Sequence, residues 1–529
     1  MVVGSSYDVA IVGGGHNGLA AACYLAEAGK RVVVIEACDK IGGMASSGYL
    51  IPEAPQHLIN PCALDLMSLR VHPMMSEELQ LDRHGFRQVE VSPGYVYLHP
   101  DGNSLVFWRD PKKTAEEIAR FSAKDALEFL DLMKLVDAFV NMAIPMMRVD
   151  PSQRNLGAKW EAIKALFRNR HLKPDVMALI GSPAYTSIME RFEHPITQSA
   201  LCCLLGAAGP ITNEATGIYF ALLGFIHRFG IGRAIGGTQT ISNALASRLR
   251  ELGGEILLSS PVEEILAERG RVKGVRLKSG TILTAKAVVA SIHPKMALEM
   301  VTPGVLDRRT LIRVAHAPSN GHGASPLKVD VALSGRISYK RHEAMRHDGL
   351  SLRQCVLLIG TSEAVLDNFR VSARGDVSSL PYLWITAPSA VDPGQAPDGQ
   401  EVAYLYSVAM PVEPREGWGV IRSRIGQQVI DQAADYMDGL KEYEIGRRIE
   451  AAPDLAARLN VYRGCVVHID TSTTRSSLMR PAVSLGGDTL PVAGLFLGAA
   501  GIHPGGGVNG LPGRIAAGRV KRYLARSPL

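Results

Sequence analysis

The chain has 529 residues, 47% apolar and 20% charged, which is too long for one hydrophobic core and ordinary for a globular enzyme of two or more interlocked domains. Its 57 Lys and Arg against 51 Asp and Glu leave only +6 with no long basic block, which argues against a nucleic-acid partner. Seven cysteines (23, 38, 62, 202, 203, 355, 465) form no C-x-x-C and no Cys/His ligand spacing, so free thiols in a reducing, cytoplasmic setting and no metal are expected.

Residues 7–12 (YDVAIV) read as a buried parallel strand rather than a signal peptide, because no charged segment precedes them and glycines interrupt the apolar run at once. Gly13-Gly14-Gly15-His16-Asn17-Gly18 follows, then an Ala-rich helix and a second strand, RVVVIE, ending on Glu36. Strand, glycine turn, helix, strand and terminal acid within about thirty residues are what a dinucleotide-binding βαβ unit requires. Gly13 allows the tight turn, Gly15 lets backbone approach a diphosphate at the helix N-terminus, and Gly18 permits close helix–strand packing. Glu36 is placed to accept hydrogen bonds from ribose hydroxyls. His16 and Asn17 lie inside the loop, His16 facing solvent or cofactor rather than a metal. A second glycine pair, Gly42-Gly43, followed by Met44, lies past the acid where the longer body of FAD continues, so FAD is expected rather than NAD. This block resembles the glutathione-reductase type of flavoprotein.

From 91 to about 229 the pattern changes. VSPGYVYLHPDGNSLVFWRD predicts a ribbon turning at Asp101-Gly102, and KDALEFLDLMKLVDAFVNMAIPMM a helix whose Met and Leu residues serve core packing. The apolar runs 199–210 and 218–226 are shorter than the ~18–20 residues of a spanning helix. They predict a buried pocket wall, with a membrane-resting face as the alternative. Gly236-Gly237-Thr238 then opens a helix that returns to the nucleotide fold, and 257–291 reads as two ribbon strands and the parallel strand AVVAS. A second insertion, 303–455, carries strands at PLKVDVALSG, PYLWITAPSA and EVAYLYSVAM and a long helix over 424–443; the loop 317–326 is a candidate mobile lid.

The N-terminal block, the Gly-Gly-Thr helix and above all GLFLGAAGIHPGGGVNGLPGRIAA, residues 494–517, resemble the phytoene-desaturase-type flavoproteins, most closely the non-carotenoid branch of pyridine nucleotide-disulphide oxidoreductase domain-containing protein 2. The resemblance runs through most of the chain and is weakest in 130–190 and 300–450. It implies an α/β protein whose Rossmann-like FAD domain is assembled from 1–90, 230–302 and 456–529, with an α+β substrate domain inserted as 91–229 and 303–455. It further implies that the backbone of Val262 meets the adenine, and that Gly501, Gly506, Gly507 and Val508 bring backbone to the flavin ring, where a helix N-terminus favours the reduced, anionic form. His503 is the candidate acid–base residue, with a structural turn histidine as the alternative; His468 and Tyr185 are weaker pocket candidates. Met44, where the family usually has Arg, argues against phytoene itself and simple amines. Ala499 replaces a common glycine, and Pro512 places the start of the last helix near Gly510 or Leu511. The expected activity is hydride transfer from an apolar polyene, isoprenoid or polyketide-like molecule to FAD, with oxygen, a quinone or another carrier as acceptor and peripheral membrane contact allowed. The alternatives are reduction, isomerisation or cyclisation of a polyene, and a flavin-bearing binding protein without turnover. Nothing in the sequence fixes the oligomeric state.

Overall fold

A computed structural model describes residues 3–487 and 490–526. Its first sheet is ordered Glu255–Leu257, Val32–Ile35, Val3–Val12, Ile282–Ala290, Arg271–Leu277 and Val262–Glu268. Val3–Val12 pairs in parallel with both neighbours, and Val9, Ala10 and Ile11 are fully buried, as an uninterrupted apolar run covered on both faces must be. The strand Ile282–Ala290 divides its pairing. Its first residues join the antiparallel ribbon through Arg271–Leu277, and its last three pair in parallel with Leu495–Leu497. Helices His16–Ala26, Gln239–Glu251 and Leu511–Arg526 cover one face, packing Leu19, Ile241, Leu245, Ala516 and Val520 into one apolar cluster.

The second sheet is ordered Glu444–Glu450, Ala324–Leu333, Glu401–Pro411, Leu383–Thr386, Val356–Ile359, Tyr95–Leu98 and Ser104–Phe107. One face carries the helix Trp418–Ala434 through Ile421, Ile425 and Val429. The other lies under a helical cap that includes Ala123–Met147, Pro195–Leu205 and Ala221–Phe229. The mixed α/β architecture expected from the sequence is thus present, with both 199–210 and 218–226 inside the cap. Among the described residues no helix is long and apolar enough to cross a membrane.

Three local readings are corrected. The helix expected over 424–443 spans Trp418–Ala434. It stops there because Asp438 exchanges two backbone hydrogen bonds with Ser338 while Met437 and Leu440 are buried in the sheet core, so tertiary pairing overrides helical propensity. The loop 317–326 is not a free lid: the backbone N–H groups of Asn320 and Gly321 each donate to Asp470 at 2.8 Å, and from Ala324 the chain is a strand. Two strands of the second sheet, Val356–Ile359 and Glu444–Glu450, were not anticipated. The ribbon turning at Asp101-Gly102 is present, as strands Tyr95–Leu98 and Ser104–Phe107.

The first and last helices lie against each other at glycine. A Cβ on Gly513 would overlap the carbonyl of Asn17, and one on Gly18 would overlap the carbonyl of Gly13; both obstacles are backbone and cannot rotate away. Gly513→Val is therefore expected to cost about 3 kcal/mol, read as a thermal midpoint several degrees below wild type.

Candidate active site

A cavity of about 940 Å³ opens between the two sheets, at the upper end of the range for small-molecule and cofactor sites. Its polar end is built from the carboxyl ends of the first sheet's strands. Val3–Val12 delivers Gly13, Gly15, His16 and Asn17, Val32–Ile35 delivers Glu36, and Ile282–Ala290 delivers Ser291 and His293. Gly13 has φ +103° and a Cβ there would stand 2.8 Å from the carbonyl oxygen of Ser291, whereas a Cβ at Gly15 meets nothing, so the loop is bare towards the cavity. The helix His16–Ala26 starts with no side-chain cap. Its first-turn N–H groups and dipole face the space uncompensated. The Glu36 carboxylate accepts from the N–H of Gly14 at 2.7 Å and of Cys38 at 2.9 Å, which fixes its orientation and leaves lone pairs on both oxygens. Gly42 donates to the Gly14 carbonyl at 3.0 Å, so the second glycine pair lies against the first loop as one cradle. Gly43 and Met44 line it, and Val262 closes the far wall.

The residues near the other end of the chain meet the same loop. Ala499, Ala500, Gly507 and Val508 line the cavity, and the His16 ring hydrogen-bonds the backbone of Gly507. Gly507 has φ +101° and a Cβ there would overlap the Ser68 hydroxyl. The last helix begins at Leu511, whose N–H is capped by Asn509 at 2.9 Å. His468, held at φ +64°, also lines the cavity.

Several expected positions do not reach the cavity. Gly18 and Gly42 support the cradle from behind. Gly501 packs on Pro294, and Gly506 on Val467. Tyr185 packs against the helical cap. The His503 ring is turned away: its Nε2 donates to the Met146 carbonyl at 3.1 Å, and Asp150, beside it, is paired with Arg519 at 2.8 Å. Acid–base duty for His503 is therefore corrected to the alternative reading, a structural histidine that ties the glycine loop to the cap. Of the two orientations expected for His16, towards solvent or towards cofactor, the ring is buried and lines the cavity.

Sequence reasoning anticipated a pocket wall at 199–210 and 218–226, which supply Ala207, Ala208 and Leu222, but missed the aromatic wall opposite. Tyr95, Trp384, Thr386, Tyr404 and Tyr406 come from three strands of the second sheet and face Ala207, Ala208 and Leu222 of the cap. Four of their polar tips are spent on protein: Tyr95 donates to Asp65 at 3.1 Å, Trp384 to the Cys203 carbonyl at 3.1 Å, Thr386 to the Cys355 carbonyl at 2.8 Å and Tyr404 to the Cys62 carbonyl at 2.8 Å. Lys328, buried and ion-paired with Asp330, stands 3.4 Å over the Tyr404 ring. The alternating aromatics of EVAYLYSVAM were the available signal, since positions two apart share a strand face.

The protein's relatives carry the same order of parts. Residues 18–445 match the family model described as flavin containing amine oxidoreductase. The chain belongs to that family. Pyridine nucleotide-disulfide oxidoreductase domain-containing protein 2 of Mus musculus is 25% identical, covering 98% of this chain and 94% of its own. The lycopene-forming phytoene desaturase of Pseudescherichia vulneris is 24% identical, covering 97% and 98%. In fold the chain is similar to an oxidoreductase from Methanosarcina mazei (TM-score 0.63, 14% identity, 97% and 99% covered) and to cyclohexylamine oxidase from Brevibacterium oxydans (TM-score 0.59, 16% identity, 98% and 100% covered).

This flavoprotein is an oxidoreductase and FAD is its cofactor, and the residues present fit that group. The bare loop at Gly13 and Gly15 suits a diphosphate, Glu36 suits a ribose, and two buried polar atoms of the lining, His16 Nε2 and Asn17 Oδ1, have no partner in the protein, which a ligand would satisfy. Among the described residues no cluster could hold a metal ion. Burial holds His16, His293 and His503 down at about 4 and His72 at about 3, and it pushes His468 well below the ordinary imidazole range, helped by the neighbouring His293 and Arg480. All are neutral at pH 7. Because the unfolded chain takes up these protons near pH 6.5 and the folded one does not, the histidines' contribution to stability is fully present above about pH 6.5 and is lost as pH falls towards 4. The thermal midpoint is thus expected to be flat between about pH 7 and 8 and to fall steeply below about pH 6. His503→Asn should lower the midpoint while leaving kcat within about threefold of wild type, against the 100-fold or greater loss of an essential acid–base group; steady-state rates across pH decide.

Proposed function

We propose that the protein is an FAD-dependent dehydrogenase or desaturase of an apolar, polyene- or isoprenoid-like substrate. The phosphate loop of Gly13, Gly15, His16 and Asn17, with Glu36, Gly43, Met44 and Val262, holds the nucleotide half of FAD in this reading, and Gly507 and Val508 stand at its ring. When bound, FAD accepts a hydride from a substrate C–H, and the protein supplies position and electrostatics. Oxygen, a quinone or another carrier takes up the electrons.

The observation that carries the substrate class is the apolar end of the cavity. Four of its side chains expose ring faces or methyl groups while their donors are already bonded to protein. Such a wall rewards burial of hydrocarbon at roughly 25 cal/mol per Å², and these four side chains offer a polar substrate no free donor. Relatives named as phytoene and zeta-carotene desaturases support the same class. The family also contains enzymes named for amines, as the neighbour cyclohexylamine oxidase is. Here one face of the Tyr404 ring already holds the Lys328 ammonium, so part of the cation–π attraction that a substrate ammonium could use is taken.

Within this reading the neutral nitrogens of His16 and His468 orient rather than exchange protons. The aromatic walls and Met44 exclude water from the reacting carbon.

Anaerobic mixing of the FAD-loaded protein with an acyclic polyene in detergent micelles is expected to bleach the oxidised flavin band, and a primary aliphatic amine to leave it unchanged. Faster reduction by the amine would overturn the substrate class. Glu36→Ala should weaken FAD binding by tenfold or more, since a charged hydrogen bond is worth about 1.5–3 kcal/mol, measured by titrating apoprotein with FAD.

A further inference from the structure

The helix Leu156–Arg168 carries its apolar residues on the outside. Leu156 (75% exposed), Trp160 (58%), Ile163 (40%) and Phe167 (67%) recur at i, i+4, i+7 and i+11, which at 3.6 residues per turn puts all four within a stripe about 60° wide. Ala165, on the opposite side, is buried, while these four large side chains face solvent. A helix that only completes a core has the reverse arrangement.

Charge surrounds the stripe. Over residues 154–173 six Lys and Arg stand against one acid, Glu161, giving +5 where the whole chain has +6. All six are exposed. Glu161 is taken up by Lys164 at 2.9 Å, and among the described residues Arg154, Lys159, Arg168, Arg170 and Lys173 have no acidic partner. Lys159 and Lys164 flank the stripe on its two sides, and the Lys164 ammonium lies 5.7 Å over the Trp160 ring. An exposed stripe of Trp, Phe, Leu and Ile rimmed by unpaired cations matches the headgroup boundary of an anionic bilayer, where rings and aliphatic chains enter the acyl edge and Lys and Arg remain at the phosphates.

We propose that the helix Leu156–Arg168 docks the protein on an anionic lipid surface, lying in its plane. The helix packs on Ala123–Met147, which packs in turn on Ala221–Phe229, the helix whose Leu222 lines the cavity. Docking therefore seats the cap of the apolar end, and not the nucleotide sheet, nearest the lipid. The surface is read from this helix alone and stands whether or not the substrate is a polyene.

The test is co-sedimentation of the full-length, FAD-loaded protein with vesicles, without substrate. Wild type should pellet with phosphatidylcholine–phosphatidylglycerol vesicles, and at least tenfold less with phosphatidylcholine alone or at high salt, as electrostatic attachment requires. The double variant Trp160→Glu, Phe167→Glu should lose pelleting at least tenfold while keeping its FAD content and thermal midpoint, because both side chains are exposed; Trp160→Phe should retain it. Wild type remaining in the supernatant with anionic vesicles would overturn the proposal, as would a double variant that pellets like wild type. A wild-type dimer that the double variant splits, with no vesicle binding by either, would also overturn it and assign the stripe to a second copy of the chain.

Discussion

The structure depends on a close approach of backbone to backbone between the two extremities of the chain. Gly513 of the last helix faces the Asn17 carbonyl with no room for a methyl group, and within the N-terminal turn Gly18 faces the Gly13 carbonyl in the same way. This contact fixes how the helix His16–Ala26 is aimed, and hence where its uncapped first turn points. It also brings Gly507 to the ring of His16. The cradle at the polar end of the cavity is therefore a joint product of residues almost five hundred positions apart.

Two solvation regimes share one cavity. At the polar end, backbone N–H groups, Glu36 and unpartnered atoms of His16 and Asn17 are left for a ligand to satisfy. At the apolar end the donors of Tyr95, Trp384, Thr386 and Tyr404 are instead committed to Asp65 and to main-chain carbonyls before any substrate arrives. A buried polar group without a partner costs about 1–3 kcal/mol, so each end selects its occupant by what it leaves unsatisfied. One molecule cannot suit both ends, and the arrangement sorts a phosphorylated cofactor from a hydrocarbon without a dividing wall.

What the sequence made legible was local. The glycine loop, Glu36, the second glycine pair and Gly507 each carry their reason within a few residues, because φ > 0 and close approach demand glycine wherever they occur. Pro512 set the start of the last helix at Leu511 for the same kind of reason. The aromatic wall was illegible because Tyr95, Trp384 and Tyr404 come together only through cross-strand pairing over some three hundred residues. His503 was misread because its turn suggested chemistry, whereas its direction was decided by Met146 on a helix inserted elsewhere. The helix over 424–443 failed where Asp438 found Ser338, a partner one hundred residues away.

The division of the strand Ile282–Ala290 between two neighbours has a consequence for biosynthesis. Its last residues pair with Leu495–Leu497, and the loop that follows supplies Ala499, Ala500, Gly507 and Val508 to the cavity. The N-terminal βαβ unit is thus made first but cannot complete its sheet or its ligand cradle until the final segment has been synthesised. Domains that close through such distant pairings fold late and slowly. Cofactor loading is accordingly an event of the finished chain, and loss of the last helix would leave an otherwise translated protein without a closed flavin site.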